Sequence, residues 1–162
     1  MIQLDVVNVG MLAGSGNIVL VLREMGGERL LIMEIGPLEA NAIAMAMEGV
    51  TAPRPLTHDL FATVLGELDV RLDSVSIVDF TGSTFHALLN LDAPAGPLSL
   101  DARPSDCIAL ALRKQAPIYV QPEVLERAGV APEEYAVEET EEDRETDDGE
   151  DDAEDDEGGP IH

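Results

Sequence analysis

Two short segments of the chain resemble each other, and each predicts the start of an α-helix. The first runs from Arg54 to Leu60 and the second from Asp101 to Cys107. Each places Arg-Pro ahead of a hydroxyl residue and an Asp, and each leads into an apolar stretch with helical spacing. The first turn of a helix leaves backbone N–H groups without intrahelical partners, so polar side chains collect there. These residues therefore either cap two helices or supply a site for chemistry.

Strand and helix patterns alternate irregularly along the rest of the chain. Two apolar runs around Gly26-Gly27 predict one hairpin, and a second is predicted around Thr81-Gly82-Ser83. The expected strands are Met1–Val9, Ile18–Leu22, Arg29–Ile35, Ser74–Phe80, Thr84–Leu91, Leu98–Leu100 and Ile118–Val120. The expected helices are Glu39–Glu48, one from Thr57, Ser105–Lys114 and a turn at Pro122–Ala128. This mixture predicts a single α+β domain, with a mixed sheet packed by about three helices, rather than a doubly wound parallel sheet.

Acidic residues divide the 162-residue chain into a body and a tail. The net charge is −24, and 45% of the residues are hydrophobic, which is enough for one core. Between Glu133 and Glu157 there are 17 acidic residues and one basic residue, with few apolar side chains. Such a segment does not bury enough apolar surface to offset its ordering entropy. We therefore predict a folded domain at 1–132 and a disordered acidic tail at 133–162.

The composition of the body predicts a protein adapted to very high salt, and hence a halophilic source. The body is itself acidic, Lys114 is the only lysine, and there is no Trp. At about 1 M salt the Debye length is only ~3 Å, so the repulsion between these carboxylates would be screened.

Cysteine content and hydropathy predict a cytoplasmic protein. The single cysteine, Cys107, excludes an internal disulfide and lies in an apolar run, where it is expected to be a small buried hydrophobe. No basic-then-apolar leader opens the sequence, and no apolar run approaches the ~20 residues that span a bilayer. We therefore expect no contact with a membrane.

Several motifs together resemble the bifunctional nuclease (BFN) domain family over roughly residues 1–130. They are Ile35–Ala40, Arg54–Leu60, Thr84–Ala87, Asp101–Arg113 and Ala116–Val120. Two residues depart from the pattern, since His86 stands where the family tends to carry Tyr and Cys107 where Ala is usual. The resemblance implies the family's fold and hydrolysis of phosphodiester bonds in DNA and RNA.

Phosphodiester hydrolysis requires an activated water, a group that stabilises the charge on phosphorus, and help for the leaving oxygen. Carboxylates holding Mg²⁺ or Mn²⁺ supply the first and last, and arginine supplies the second. Candidate metal ligands are Glu39, Asp59 and Asp106, with His58 as a further ligand or as a base that titrates near neutrality. Arg54 and Arg103 are the candidate phosphate clamps. The two helix starts would have to pack side by side for these residues to form one active site.

The same residues also have a purely structural interpretation. Thr57 and Ser105 would be N-caps, Asp59 and Asp106 would stabilise the helix dipoles, and arginine–aspartate pairs would tie the helix starts together. Under that interpretation the chain is a non-catalytic binding or assembly module.

The expected partners are DNA or RNA as substrate and further copies of the chain. A homo-oligomer such as a dimer is expected, with the Ala/Met-rich helix from Leu38 to Met47 as core or subunit interface. The absence of a basic run argues against ordinary duplex binding. A third hypothesis gives the acidic tail the function, either as a mimic of nucleic acid or as a ligand for a basic partner.

Overall fold

A computed structural model describes residues 1–135 of the chain. Within these residues eight strands and four α-helices form, followed by a short 3-10 turn at Pro132–Glu134. The strands are β1 (Ile2–Met11), β2 (Ile18–Glu24), β3 (Leu30–Glu34), β4 (Arg71–Thr81), β5 (Thr84–Ala93), β6 (Gly96–Ala102), β7 (Ile118–Val120) and β8 (Gly129–Val130). The helices are α1 (Pro37–Glu48), α2 (Thr57–Glu67), α3 (Pro104–Lys114) and α4 (Pro122–Ala128).

All eight strands join one sheet in the order β6-β5-β4-β7-β1-β2-β3-β8. It consists of two antiparallel meanders, β1–β2–β3 and β4–β5–β6, with the short strand β7 between them. Strand β7 pairs antiparallel with β1 and parallel with β4, and its residues Ile118 and Val120 are buried. The predicted α+β class, the mixed sheet and both hairpins are confirmed.

Helix α3 lies at the centre of the fold, as its nearly uniform apolar character predicts. All residues from Cys107 to Ala111 are buried, and the helix contacts α1, α2, β4 and β5. Cys107 is the small buried hydrophobe that was expected, and burial raises the pKa of its thiol to about 12.

The buried face of α1 differs in part from the predicted one. The sequence pattern predicts one apolar face formed by Leu38, Ala42, Ile43, Ala46 and Met47. Ala42 and Ile43 are buried as predicted, but Leu38 is 82% exposed and Met47 is also exposed. The buried side chains are Ala40, Ala42 and Ile43. The reason is that Glu39 takes the inward position in the first turn, where its carboxylate meets Arg103.

The predicted N-caps are also wrong. The N-cap positions belong to Leu56 and Arg103, and neither Thr57 nor Ser105 caps its helix with its side chain. Helix α3 begins earlier than expected because Pro104 occupies its first turn, where the missing N–H of proline costs no hydrogen bond. In α2 the carboxylate of Asp59 accepts a hydrogen bond from the backbone N–H of Leu56, at 2.9 Å.

The packed part of the chain reaches at least Tyr135, whose ring packs beside a small apolar cluster that includes Val19, Val21 and Leu30. The predicted disordered tail lies outside the described residues from position 136 onward. Among residues 1–135, no helix has the length and apolar character needed to cross a bilayer.

Candidate active site

The N-terminal turns of α1, α2 and α3 meet, and four of the predicted site residues form a continuous polar chain there. His58 Nε2 lies 2.9 Å from Asp106 Oδ1, which joins the start of α2 to the start of α3. Arg103 Nε donates to the other carboxylate oxygen of Asp106 at 2.8 Å. The guanidinium also pairs with Glu39 on α1, with 2.9 Å between Arg103 Nη1 and Glu39 Oε1. The two look-alike segments therefore do pack side by side.

Burial and charge act in opposite directions on Asp106. Partial burial by itself raises the pKa of this carboxyl, but the hydrogen bonds from Arg103 and His58 outweigh it and lower the pKa below its usual range. Asp106 is therefore an anion over the whole neutral range, and it can hold both Arg103 and the His58 ring in place.

A cleft of about 720 Å³ opens beside this chain of side chains. Its walls include Glu39, Phe80, Phe85, Arg103, Ser105 and Arg127. Arg103 is 65% exposed, whereas His58 is only 16% exposed and does not line the cleft. The His58–Asp106 pair thus lies behind Arg103, and Arg103 with Glu39 faces the open space.

Asp59 belongs to a different set of contacts. Its Oδ1 accepts a 2.7 Å hydrogen bond from Arg113 Nε, and the same guanidinium donates to the carbonyl oxygens of Ala42 and Ala109. The hydrogen bond from Arg113 is the main reason that the pKa of Asp59 is lowered, and the backbone N–H of Leu56 adds to it. Sequence reasoning missed this role of Arg113, although a basic residue that ends an apolar helix could have indicated it.

Arg54 does not join the cluster. It is exposed in the turn before α2, and within residues 1–135 it makes no hydrogen bond or ion pair. The basic residue that accompanies Arg103 in the cleft is Arg127 on α4, which sequence reasoning also missed. Arg127 Nη2 donates to Asp79 Oδ1 at 2.8 Å. This hydrogen bond holds the Arg127 side chain, which is distant in sequence from Arg103, at the wall of the cleft.

Comparison with known proteins agrees with the resemblance drawn from the motifs. The model of the bifunctional nuclease domain matches residues 20–133, which is more than half of the chain. The chain belongs to this family. It is also 47% identical over 112 residues to two proteins of Mycobacterium tuberculosis, uncharacterized protein Rv1829 of strain H37Rv and uncharacterized protein MT1877 of strain CDC 1551. The match covers 69% of this chain and 66% of each relative, slightly less than two thirds of their length.

The donors of this bifunctional nuclease domain do not form a ready-made metal site. Among residues 1–135, no three His, Cys, Asp or Glu side chains are grouped so that they could hold a metal ion. Glu39 and Asp106 are both paired with Arg103, and Asp59 is paired with Arg113. Divalent cations such as Mg²⁺ favour several free oxygen ligands, and these carboxylates are instead neutralised by guanidinium groups. These side chains therefore do not fit a divalent cation held by the protein alone.

Proposed function

We propose that this bifunctional nuclease domain hydrolyses phosphodiester bonds of DNA or RNA in the cleft beside Arg103 and Glu39. Family membership supports the reaction class, and one observation supports its position. The guanidinium of Arg103 is held by the carboxylates of Glu39 and Asp106, and both Arg103 and Glu39 line an open cleft. An anion-binding group and a proton acceptor are thereby adjacent, and a hydrolase acting on a phosphodiester needs both.

Arg103 is the proposed phosphate-binding group. Its Nε and Nη1 atoms contact Asp106 and Glu39, and within residues 1–135 its Nη2 atom makes no hydrogen bond. The N–H groups of Nη2 are thus available to a phosphate oxygen. Since the guanidinium is already oriented, it would stabilise the negative charge that develops on phosphorus with little reorganisation.

Glu39 is the proposed general base. Its carboxylate lines the cleft and lies beside the guanidinium that would hold the phosphate. In the proposed step a water oxygen attacks phosphorus while Glu39 takes its proton, and the bond from phosphorus to the leaving oxygen breaks. The leaving oxygen then takes a proton from a second water, and the hydroxide so formed takes the proton from Glu39, which restores the carboxylate and leaves one phosphate monoester end and one hydroxyl end.

His58 and Asp106 are proposed as positioning residues, because neither lines the cleft. Asp106 fixes the guanidinium of Arg103, and His58 fixes Asp106 across the contact between α2 and α3. Replacing His58 is therefore expected to reduce activity less than replacing Arg103. The predicted contribution of Arg54 as a second phosphate clamp is expected to be small, because its side chain stands apart from the cluster.

The test is cleavage of fluorescent single-stranded RNA and DNA by the purified full chain. Arg103→Ala and Glu39→Gln should each lower the rate by roughly 10²- to 10³-fold. Arg71→Ala is the matched control, because Arg71 also pairs with two carboxylates but does not line the cleft. A contaminating nuclease would be insensitive to all three changes. Folded Arg103→Ala and Glu39→Gln proteins that cleave at the wild-type rate would refute the proposed site.

The requirement for Mg²⁺ or Mn²⁺ stays a prediction, and the same assay tests it. Parallel reactions contain Mg²⁺, Mn²⁺ or EDTA. Loss of cleavage in EDTA, with recovery on adding one of the ions, would support a metal-dependent reaction with ligands supplied in part by the substrate phosphate. Full activity in EDTA would contradict the metal prediction and agree with the carboxylate and guanidinium chemistry.

A second candidate function is binding without cleavage. Two of the ion pairs among the candidate site residues join helices to each other, which is a structural role. His58–Asp106 joins α2 to α3, and Glu39–Arg103 joins α1 to the start of α3. A wild-type protein that binds an oligonucleotide but leaves it intact with either ion present would support this alternative.

We also propose that the chain forms a homo-oligomer through α2 rather than through the helix Leu38–Met47. The outer face of α2 carries Leu60, Phe61, Val64 and Leu68, all exposed. Soluble monomers rarely leave large contiguous apolar patches uncovered, so a second copy is the expected cover.

A further inference from the structure

Part of the wall of the cleft is aromatic. Phe80 on β4 and Phe85 on β5 are directly paired across the hairpin, and their ring centroids are 4.4 Å apart with the planes tilted by 34°. Both rings are half-buried, and both line the cleft. The whole chain contains only three phenylalanines and no tryptophan, so two of its three phenylalanines form this one wall.

Two arginines line the same cleft. Arg103 is held by Asp106 and Glu39, and Arg127 is held by Asp79 and by the carbonyl oxygen of Glu123. Both side chains are more than half exposed, so both present N–H donors to the cleft, whose lining also includes the carboxylates of Glu34 and Glu39. An aromatic ring that offers a face for stacking, beside two fixed guanidinium groups, matches the two halves of a nucleotide, which are a flat base and a phosphate.

The size and charge of the surface favour a single strand over a duplex. A volume of about 720 Å³ lies in the range of clefts that hold ligands of the size of one or two nucleotides. A duplex would instead need a long row of basic side chains along its phosphates. The whole chain has only nine Lys and Arg residues, against 33 Asp and Glu residues. Stacking also provides affinity that does not depend on positive charge, which suits so acidic a protein.

We propose that the cleft binds single-stranded nucleic acid, with one base stacked on the Phe80–Phe85 pair and the adjacent phosphate on Arg103 and Arg127. The proposal rests on the proposed function for the position of the substrate, and it adds the substrate class and the residues that select it. Phe80 and Phe85 are binding residues in this scheme, and no chemical step is assigned to them.

The chain offers a sharp probe because it has no tryptophan. In Phe85→Trp the new indole is the sole tryptophan, and it retains an aromatic face for stacking. We expect its fluorescence to be quenched by an unlabelled oligothymidylate, and to change little with an abasic oligonucleotide of equal length and charge. Equal quenching by the two oligonucleotides would overturn the stacking assignment.

Binding affinity gives an independent test. Phe85→Leu keeps an apolar side chain in the hairpin but removes the ring, and it should weaken binding of the oligothymidylate at least roughly fivefold. Phe61→Leu on α2 is the matched control, because the same change there is away from the cleft and should leave affinity unchanged. Phe85→Trp should restore wild-type affinity. Equal affinities for Phe85→Leu and Phe61→Leu would overturn the proposal.

Salt dependence and ligand length complete the test. One phosphate held by two arginines predicts a shallow slope of roughly −0.7 for the logarithm of the association constant against the logarithm of salt. A free thymidine monophosphate should bind more weakly than the oligonucleotide, and equal binding would overturn the single-strand assignment in favour of a free nucleotide. A duplex of the same sequence that binds as tightly as the single strand would also overturn it.

These outcomes are separable from those for catalysis. A wild-type protein that binds the oligonucleotide by stacking but leaves it intact would retain this inference and refute the proposed hydrolysis. Cleavage that depends on Arg103 and Glu39 but is indifferent to Phe85 would retain the hydrolysis and refute this inference.

Discussion

Arg113 Nε lies 2.7 Å from Asp59 Oδ1, and this contact assigns the two helix starts to different tasks. The guanidinium is only 12% exposed and also donates to the carbonyl oxygens of Ala42 on α1 and Ala109 on α3. One side chain therefore ties together the three helices whose N-terminal turns carry the candidate site. Asp59 serves this tie, whereas Asp106 in the second segment serves Arg103 at the cleft.

The first prediction concerns the stability that this tie provides. Asp59→Ala removes a charge-assisted hydrogen bond and leaves the guanidinium of Arg113 partly buried without its carboxylate. We expect the free energy of unfolding to fall by about 2 kcal/mol, measured by urea denaturation at constant salt. Asp73→Ala is the control, since Asp73 pairs with an exposed Arg71 and should change stability by no more than ~0.5 kcal/mol. Equal losses for the two variants would contradict a structural role for Asp59.

The sequence predicts the secondary structure of this protein better than it predicts the contacts of the candidate site. The hydrophobic periodicity of the sequence predicts the hairpins and the helices nearly to their ends, and the run of apolar residues from Cys107 to Leu112 predicts the central position of α3. The pairing of Glu39 with Arg103 and the approach of Arg127 to the cleft were not predictable. They depend on how α1, α3 and α4 are placed around the sheet, and no local pattern encodes those distances.

The outward face of α2 escaped prediction for a related reason. Its apolar arc is wide, and helical spacing alone does not say which part of that arc meets the core. In the fold Leu65 is buried against the rest of the protein, while Leu60 and Leu68 stay outside, at 57% and 61% exposure. An apolar stripe thus indicated a helix correctly without indicating what covers it.

The second prediction is a loss of stability in acid that depends on Asp79. Hydrogen bonds from the Thr81 hydroxyl and from Arg127 lower the pKa of Asp79 from 3.8 to about 2 in the folded protein. Because the folded state favours the ionised carboxylate, its contribution is fully present above the ordinary pKa and is lost as the pH falls from about 4 to about 2. Asp79→Asn should therefore unfold with a weaker pH dependence across this window.

Urea denaturation of both proteins at several pH values provides the measurement. Protonation of the many other carboxylates affects wild type and variant alike, so the difference between them isolates Asp79. If plots of the free energy of unfolding against pH stay parallel for the two proteins from neutral pH to about pH 2, the ionised carboxylate of Asp79, with its hydrogen bonds from Thr81 and Arg127, does not contribute to stability.

The third prediction follows from the net charge of −24. At about 0.1 M salt the Debye length is ~10 Å and like charges on neighbouring elements repel, whereas at 1 M it is ~3 Å. We expect the melting temperature to rise steadily as KCl increases toward molar concentrations, as measured by circular dichroism. A non-ionic osmolyte at matched osmolality is the control, because it does not screen charge. A melting temperature that is as high without KCl as at molar KCl would contradict the predicted adaptation to high salt.

The fourth prediction concerns the second copy of the chain on α2. Two α2 helices packed through Leu60, Phe61, Val64 and Leu68 would remove four large apolar side chains from water, in a chain with 33 acidic residues. The wild-type protein should therefore sediment as a dimer at micromolar concentration. Val64→Glu should sediment as a monomer, because dimerisation would bury the introduced carboxylates of the two copies beside each other. A wild-type monomer under these conditions, at high salt as well as low, would exclude this interface.

Cross-linking locates the contact independently of the oligomeric state. The native Cys107 is buried and its thiol has a pKa of about 12, so it does not compete with an introduced cysteine. Val64→Cys should form a disulfide-linked dimer under mild oxidation, because Val64 is at the middle of the α2 stripe and a two-fold axis there places the same residue of both copies close together. Leu98→Cys on the exposed edge strand β6 is the matched control and should stay unlinked. Preferential linking of Leu98→Cys would move the interface from α2 to the edge of the sheet.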